Sequence, residues 1–279
     1  MRAEFEKRMD TDYTSGADVL FVCDTRSFYH TASLRGTDPV SNAAIDHVYL
    51  AILRSGVACD PVHINDLPRI DLTPYRTIVF GNVFVLSKDQ RDFVTTHVAR
   101  NGRTLVWFYA PGFSDAKTLD ASHMSELTGM GIAPVQSPGT PHITFTLPGD
   151  STRSLTLGNT PIFPLFCIRD SSAERFGYFS NTDQVALARK STSACTSWYI
   201  GLPGKEVEPL RSILRTSGAH VYVSGGEIVY AGGGMLAVHT KEGGPHRITL
   251  RNGKERVLDL PEGAATLILD AETGESILK

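Results

Sequence analysis

The chain has 279 residues, with 27 Lys and Arg against 30 Asp and Glu, for a formal net charge of −3. Neither that balance nor any single stretch supplies the concentrated positive field that displaces counterions from nucleic-acid phosphates, so nucleic acid is excluded as a partner. At 41% hydrophobic and 20% charged residues the chain has a globular composition, and no apolar run approaches the roughly 18 residues that cross a bilayer, which excludes a membrane partner.

The first residues, 1–14, are charged and polar without an apolar segment, which is not the pattern of a secretory leader; the expected compartment is the cytoplasm. Residues 2–9 read as a charged helix leading into the body of the chain, so 1–16 is set apart as an N-terminal helical extension.

From residue 17 onward strand and helix signals alternate. Residues 18–23, Asp-Val-Leu-Phe-Val-Cys, form the near-continuous apolar run of a strand buried on both faces. A helix follows, with Ser41 as its cap, Ile45, Val48 and Ile52 on one face and Gly56 at its end. Residues 57–64 are a second strand and 77–80 a third. Ser87-Lys-Asp-Gln90 is a capping box that opens a helix with Phe93, Val94, His97 and Val98 inward, closed by Asn101-Gly102. Residues 104–109 make a fourth strand, ended by Ala110-Pro-Gly112. Strands and helices alternating at these lengths predict right-handed crossovers and an α/β, doubly wound, mostly parallel sheet.

After a short helix at 122–128 the pattern turns to strands broken by Pro and Gly: 142–147, 154–157, 185–190 and 195–200. A helix over 205–217 turns Val207, Leu210, Ile213 and Leu214 inward, with Pro209 in its first turn. Beyond it come only short strands, 221–223, 227–230, 235–239, 246–250, 256–260 and 265–269, separated by Gly-rich turns; Gly232 to Gly234 is a hairpin turn. This predicts an α/β domain over 17–218 and a small antiparallel β-sandwich over 219–279.

Ligands of a doubly wound sheet sit beyond the carboxyl ends of its strands. The residues there are polar and aromatic together: Asp24, Arg26, Ser27, Phe28 and Tyr29 after the first strand, Asn82 and Phe84 after the third, Tyr109 and Phe113 after the fourth. Aromatic faces beside Asp, Asn and Arg suit a pyranose, which has apolar faces and a rim of hydroxyls. Asp24, Arg26, Asn82 and Tyr109 are therefore the candidate ligand residues. The plainer reading is that Asp24 and Asn82 cap loops and the aromatics cover the sheet edge.

Other chemistry lacks its signature. The turn after the first strand holds no glycine before Gly36, so neither a dinucleotide fingerprint nor a phosphate loop is present, and no cofactor is expected. A nucleophile on an open sheet would sit on the turn after the fourth strand, where Tyr109 stands and Pro111 departs from the usual elbow. Four widely spaced cysteines and nine histidines give no metal-ligand spacing; Cys23, Cys59 and Cys167 read as buried small hydrophobes and His97 as a core residue. Too few strand-helix units exist for a catalytic barrel.

Three segments carry a family resemblance: Cys23-Asp24-Thr-Arg-Ser27-Phe28, Phe80-Gly-Asn-Val-Phe-Val-Leu-Ser87, and Asn101-Gly-Arg-Thr-Leu-Val-Trp-Phe-Tyr-Ala-Pro-Gly112. Over residues 17–218 the chain resembles the glutamine-amidotransferase-like domain of the β-galactosidase trimerisation family, and the tail resembles the small β-domain that follows it in such enzymes. The resemblance implies a class I amidotransferase-like, flavodoxin-like sheet that forms oligomers and accompanies a fused or separate catalytic barrel. True class I amidotransferases carry a nucleophilic cysteine where this chain has Phe108-Tyr109, and their later His and Glu have no match here. The implied role is an accessory and homo-oligomer-forming module of carbohydrate metabolism, lending residues to a sugar site. Two alternatives stay open: a free-standing hydrolase with Asp24 as base or a cysteine as nucleophile, and a plain carbohydrate-binding module.

Overall fold

The computed structural model describes residues 14–30, 39–136, 139–260 and 262–277. The N-terminal extension expected over 1–16 lies almost wholly outside them. The fold is α/β, built on one 11-stranded sheet and two small antiparallel sheets.

The large sheet begins as a parallel block. Strands β1 (Val19–Cys23), β2 (Cys59–His63), β3 (Thr77–Phe80), β4 (Arg103–Phe108) and, much later in the chain, β11 (Cys195–Ile200) lie in the order β2-β1-β3-β4-β11, every neighbour parallel. β3 and β4 are buried along their whole length, as the apolar runs Ile78-Val-Phe80 and Leu105-Val-Trp-Phe108 require. Phe80 stacks on Trp107 across the ladder, centroids 4.0 Å apart.

Beyond β11 the sheet turns antiparallel, which corrects the expectation of a mostly parallel sheet. β10 (Val185–Ser191), β9 (Glu174–Phe179), β6 (His142–Phe145) and β7 (Arg153–Thr156) extend it, while β5 (Ile132–Pro134) and β8 (Phe166–Ile168) pair beside β10. Parallel neighbours need long crossovers; the short segments that join β6 to β7, β9 to β10 and β10 to β11 are hairpin connections, which only antiparallel pairing suits. The helix alternation is incomplete too, since a 3-10 turn, Leu67–Arg69, stands between β2 and β3.

Among the described residues five helices accompany the sheet: α1 (Arg26–His30), α2 (Pro39–Asn42, a π-helical turn Ala43–His47, then Val48–Arg54), α3 (Lys88–Phe93 continuing as a π-helical turn Val94–Val98), α4 (Ala121–Thr128) and α5 (Leu210–Thr216). Ser87 caps α3 with both arms of the capping box formed. Ser41 is no cap: Pro39, whose fixed φ suits a first helical position, opens α2 two residues earlier and Ser41 is buried within it. His97 is exposed and stacked on Phe93 at 4.9 Å, because the π-helical turn shifts the face that a regular helix would bury. α5 starts after Pro209, not at residue 205, and Val207 is half-buried ahead of it.

The tail carries β12 (Ile228–Gly232), β13 (Met235–Thr240) and β16 (Ala265–Asp270) in one sheet, β14 (Gly244–Thr249) and β15 (Glu255–Leu260) in another. Gly233 and Gly234, both at positive φ, form the two-residue turn between β12 and β13. Residues 221–223 join no ladder; Tyr222 instead donates its N–H to Gly56 O and accepts from Thr249 N. Val229, Leu236, Val238, Ile248 and Leu269 of the tail are buried in the same apolar cluster as the large sheet.

Candidate functional site

The strand exits fall into two parts. In the first, α1 is seeded by Asp24, which is fully buried. Its Oδ2 accepts from Ser27 N at 3.1 Å and Ser27 Oγ at 2.9 Å, and its Oδ1 from Arg26 N at 3.2 Å, a short polar side chain satisfying the first N–H groups of a helix. Ser27 Oγ in turn accepts from Phe84 N and Val85 N, pinning the exit of β3. Asn82, also fully buried, accepts from Asp24 N at 2.9 Å and donates through Nδ2 to Asp24 O at 2.6 Å. Arg26 reaches Gln90 Oε1 at 2.8 Å, joining α1 to the start of α3; 44% of its side chain is exposed.

The second part is an apolar cavity of about 460 Å³ beyond β3 and β4. Phe84, Tyr109, Phe113, Phe163 and Phe166 line it, with Leu119 and Phe163 at the surface, 70% and 60% exposed. Phe84 and Phe166 meet Tyr109 edge-on at 5.5 Å and 5.7 Å, and Phe113 meets Phe166 at 4.8 Å. Tyr109 is held by Tyr199 Oη donating to its carbonyl at 2.6 Å, by its own N–H to Ile200 O at 2.9 Å, and by its hydroxyl donating to Pro164 O at 2.7 Å. Its φ is +59°, the left-handed region that a β-substituted residue enters only at a cost.

The four expected ligand residues therefore do not meet in one pocket. Asp24, Arg26 and Asn82 form a hydrogen-bonded brace between strand exits, while Tyr109 belongs to the aromatic cavity. Sequence reasoning named Ser27 without giving it a role; the Asp-x-x-Ser spacing is the signal for its cap. Phe163 and Phe166 went unnoticed, since they approach from the loop before β8 and from the first residue of β8, some fifty residues beyond β4.

No thiol is activated. Burial pushes the Cys23, Cys59, Cys167 and Cys195 thiols up, and at Cys23 the Asp24 carboxylate adds to the rise. Among the described residues, no helix is long and apolar enough to cross a membrane.

A parallel block in the order 2-1-3-4 that turns into an antiparallel extension, followed by small β-sheets, defines the fold class. No family model and no curated protein matches the chain. Its fold does recur in solved structures. The β-galactosidase of Bacillus circulans sp. alkalophilus matches 96% of this chain with a TM-score of 0.64 at 14% identity. The polyextremophilic β-galactosidase of the Antarctic haloarchaeon Halorubrum lacusprofundi matches 96% with 0.64 at 16%, and that of Rahnella sp. R3 95% with 0.62 at 13%. The chain covers 43%, 42% and 42% of those structures' own lengths. The resemblance read from the strand exits is thus borne out in the fold, which this chain shares with a part of β-galactosidases.

Proposed function

We propose that this chain is a non-catalytic accessory and homo-oligomer-forming module of β-galactosidase-like glycoside hydrolases, working beside a fused or associated catalytic barrel. In this reading residues 17–218 are an amidotransferase-like, flavodoxin-like unit, residues 219–279 its β-domain, and the protein is cytoplasmic. One observation carries the reading. The turn after β4 has the left-handed backbone that would present a nucleophile, yet it holds Tyr109, whose hydroxyl bonds the Pro164 carbonyl. The raised thiols speak against the cysteine form of a free-standing hydrolase, and the burial of Asp24 under its own helix cap speaks against its use as a base.

The aromatic cavity is where a sugar ring or a neighbouring subunit's side chain would stack; its volume lies within the range of small-molecule sites. That favours sugar contact as part of the role, with Tyr109 in the cavity. The test is turnover of an aryl β-galactoside by the purified chain alone. No hydrolysis above the blank is expected, whereas turnover that is lost in Asp24→Asn or on thiol alkylation would establish the free-standing hydrolase instead.

A further inference from the structure

At the opposite, amino-terminal ends of the strands, Asp18 stands directly before β1 and is 3% exposed. Its Oδ2 accepts from His220 N at 2.9 Å and lies 3.4 Å from Arg251 Nη2, while its Oδ1 has no hydrogen-bond partner among the described residues. Arg251 is fixed by Nε donating to Tyr222 Oη at 2.9 Å and Nη2 to Gly16 O at 2.6 Å. Asp18 and Arg251 line a cavity of about 400 Å³ together with Arg76, Arg215 and His220. Arg76 and Arg215 are exposed, one from the loop before β3 and the other from the last turn of α5. Gly218, at φ +79°, lets the chain leave α5 with Arg76 Nη1 only 3.5 Å from the place a Cβ would take.

Three guanidinium groups thus share one cavity with one carboxylate, in a chain whose net charge is −3. Guanidinium forks match the oxygens of an oxyanion and are its commonest recognition element. A buried carboxylate oxygen without a donor is costly, and it accepts only; it repels a fully deprotonated anion but welcomes one that still carries a hydroxyl. Near neutral pH inorganic phosphate retains a P–OH and sulfate has none.

We propose that this cavity binds phosphate through a P–OH donated to Asp18, with Arg76, Arg215 and Arg251 taking the charged oxygens. The site owes nothing to a glycine-rich phosphate loop, which the chain lacks, and it is independent of the accessory role. The ligand is free phosphate or the phosphate of a monoester, in which a sugar hydroxyl supplies the donor to Asp18.

Calorimetric titration of the full chain at pH 7 and constant ionic strength tests it, with inorganic phosphate, sulfate and a hexose phosphate as probes. Saturable phosphate binding is expected, with sulfate weaker by roughly tenfold or more. Arg76→Gln and Arg215→Gln each weaken phosphate severalfold without moving the thermal midpoint, since both side chains are exposed. Asp18→Asn offers an amide N–H and brings sulfate level with phosphate; should it fail to fold, the arginine variants and the phosphate–sulfate pair decide alone. A hexose phosphate tighter than phosphate assigns the monoester, and one no tighter assigns the free anion. Absence of saturable phosphate binding, equal affinity of the native chain for both oxyanions, or binding unchanged in both arginine variants would overturn the proposal.

Discussion

Asp24 and Asn82 hold each other across the exits of β1 and β3, the N–H of Asp24 donating to Asn82 Oδ1 and Asn82 Nδ2 donating back to the Asp24 carbonyl. The Asn82 amide thereby acts as a surrogate backbone, extending the β1–β3 ladder by one pair of bonds after the strands have parted. Asn82→Ala leaves both Asp24 backbone groups buried and unpaired, so the expected loss is about 2–4 kcal/mol in urea unfolding. A residue serving mainly as a ligand contact would cost far less.

Tyr109→Phe keeps the ring in the cavity and removes one hydroxyl. The lost bond to Pro164 O predicts a destabilisation of about 1 kcal/mol, read by the same unfolding curve, with no change in the edge-on packing against Phe84 and Phe166. A loss near zero would mean that the hydroxyl is not spent on Pro164.

His246 gives the tail a pH dependence. Its Nδ1 faces Glu227 Oε1 at 2.6 Å and its Nε2 faces Glu242 O at 2.9 Å, so both ring nitrogens meet acceptors and the imidazolium is the form that satisfies them. The Glu227 hydrogen bond raises its pKa above the ordinary value of 6.5 against the opposing effect of burial. A folded-state pKa above the unfolded one stabilises fully below the unfolded value and is lost as pH rises through the folded value. The native chain therefore loses more stability from pH 5.5 to 8.5 than His246→Gln does; equal losses would show that the pair contributes nothing.

All four thiols are expected to alkylate slowly in the folded chain at pH 7.5 and readily after unfolding, since each is held above its usual pKa by burial. A single fast thiol in the folded state would identify a nucleophile.

Local rules carried the sequence reading where one short pattern decides the backbone. The third strand at 77–80, the Ser87-Gln90 capping box and the Gly233-Gly234 turn stand where they were expected. Two π-helical turns, Ala43–His47 and Val94–Val98, broke the helical periodicity, leaving Ile45 half-buried and His97 exposed. β5 and β8 have pairings fixed by distant partners, and their own residues give little alternation to read. The site divided the same way. The residues after each strand were legible, but whether Asp24 faces a ligand or caps α1 depends on Ser27 and Asn82 being brought against it, and the aromatic cavity depends on a loop from far along the chain.

Whether the chain is an assembly module is read from sedimentation equilibrium of the purified protein from about 1 to 200 µM. A defined oligomer is expected, its association weakened in Phe163→Ala, a substitution at a 60% exposed residue that leaves the unfolding midpoint nearly unchanged. A monomer throughout that range would contradict it.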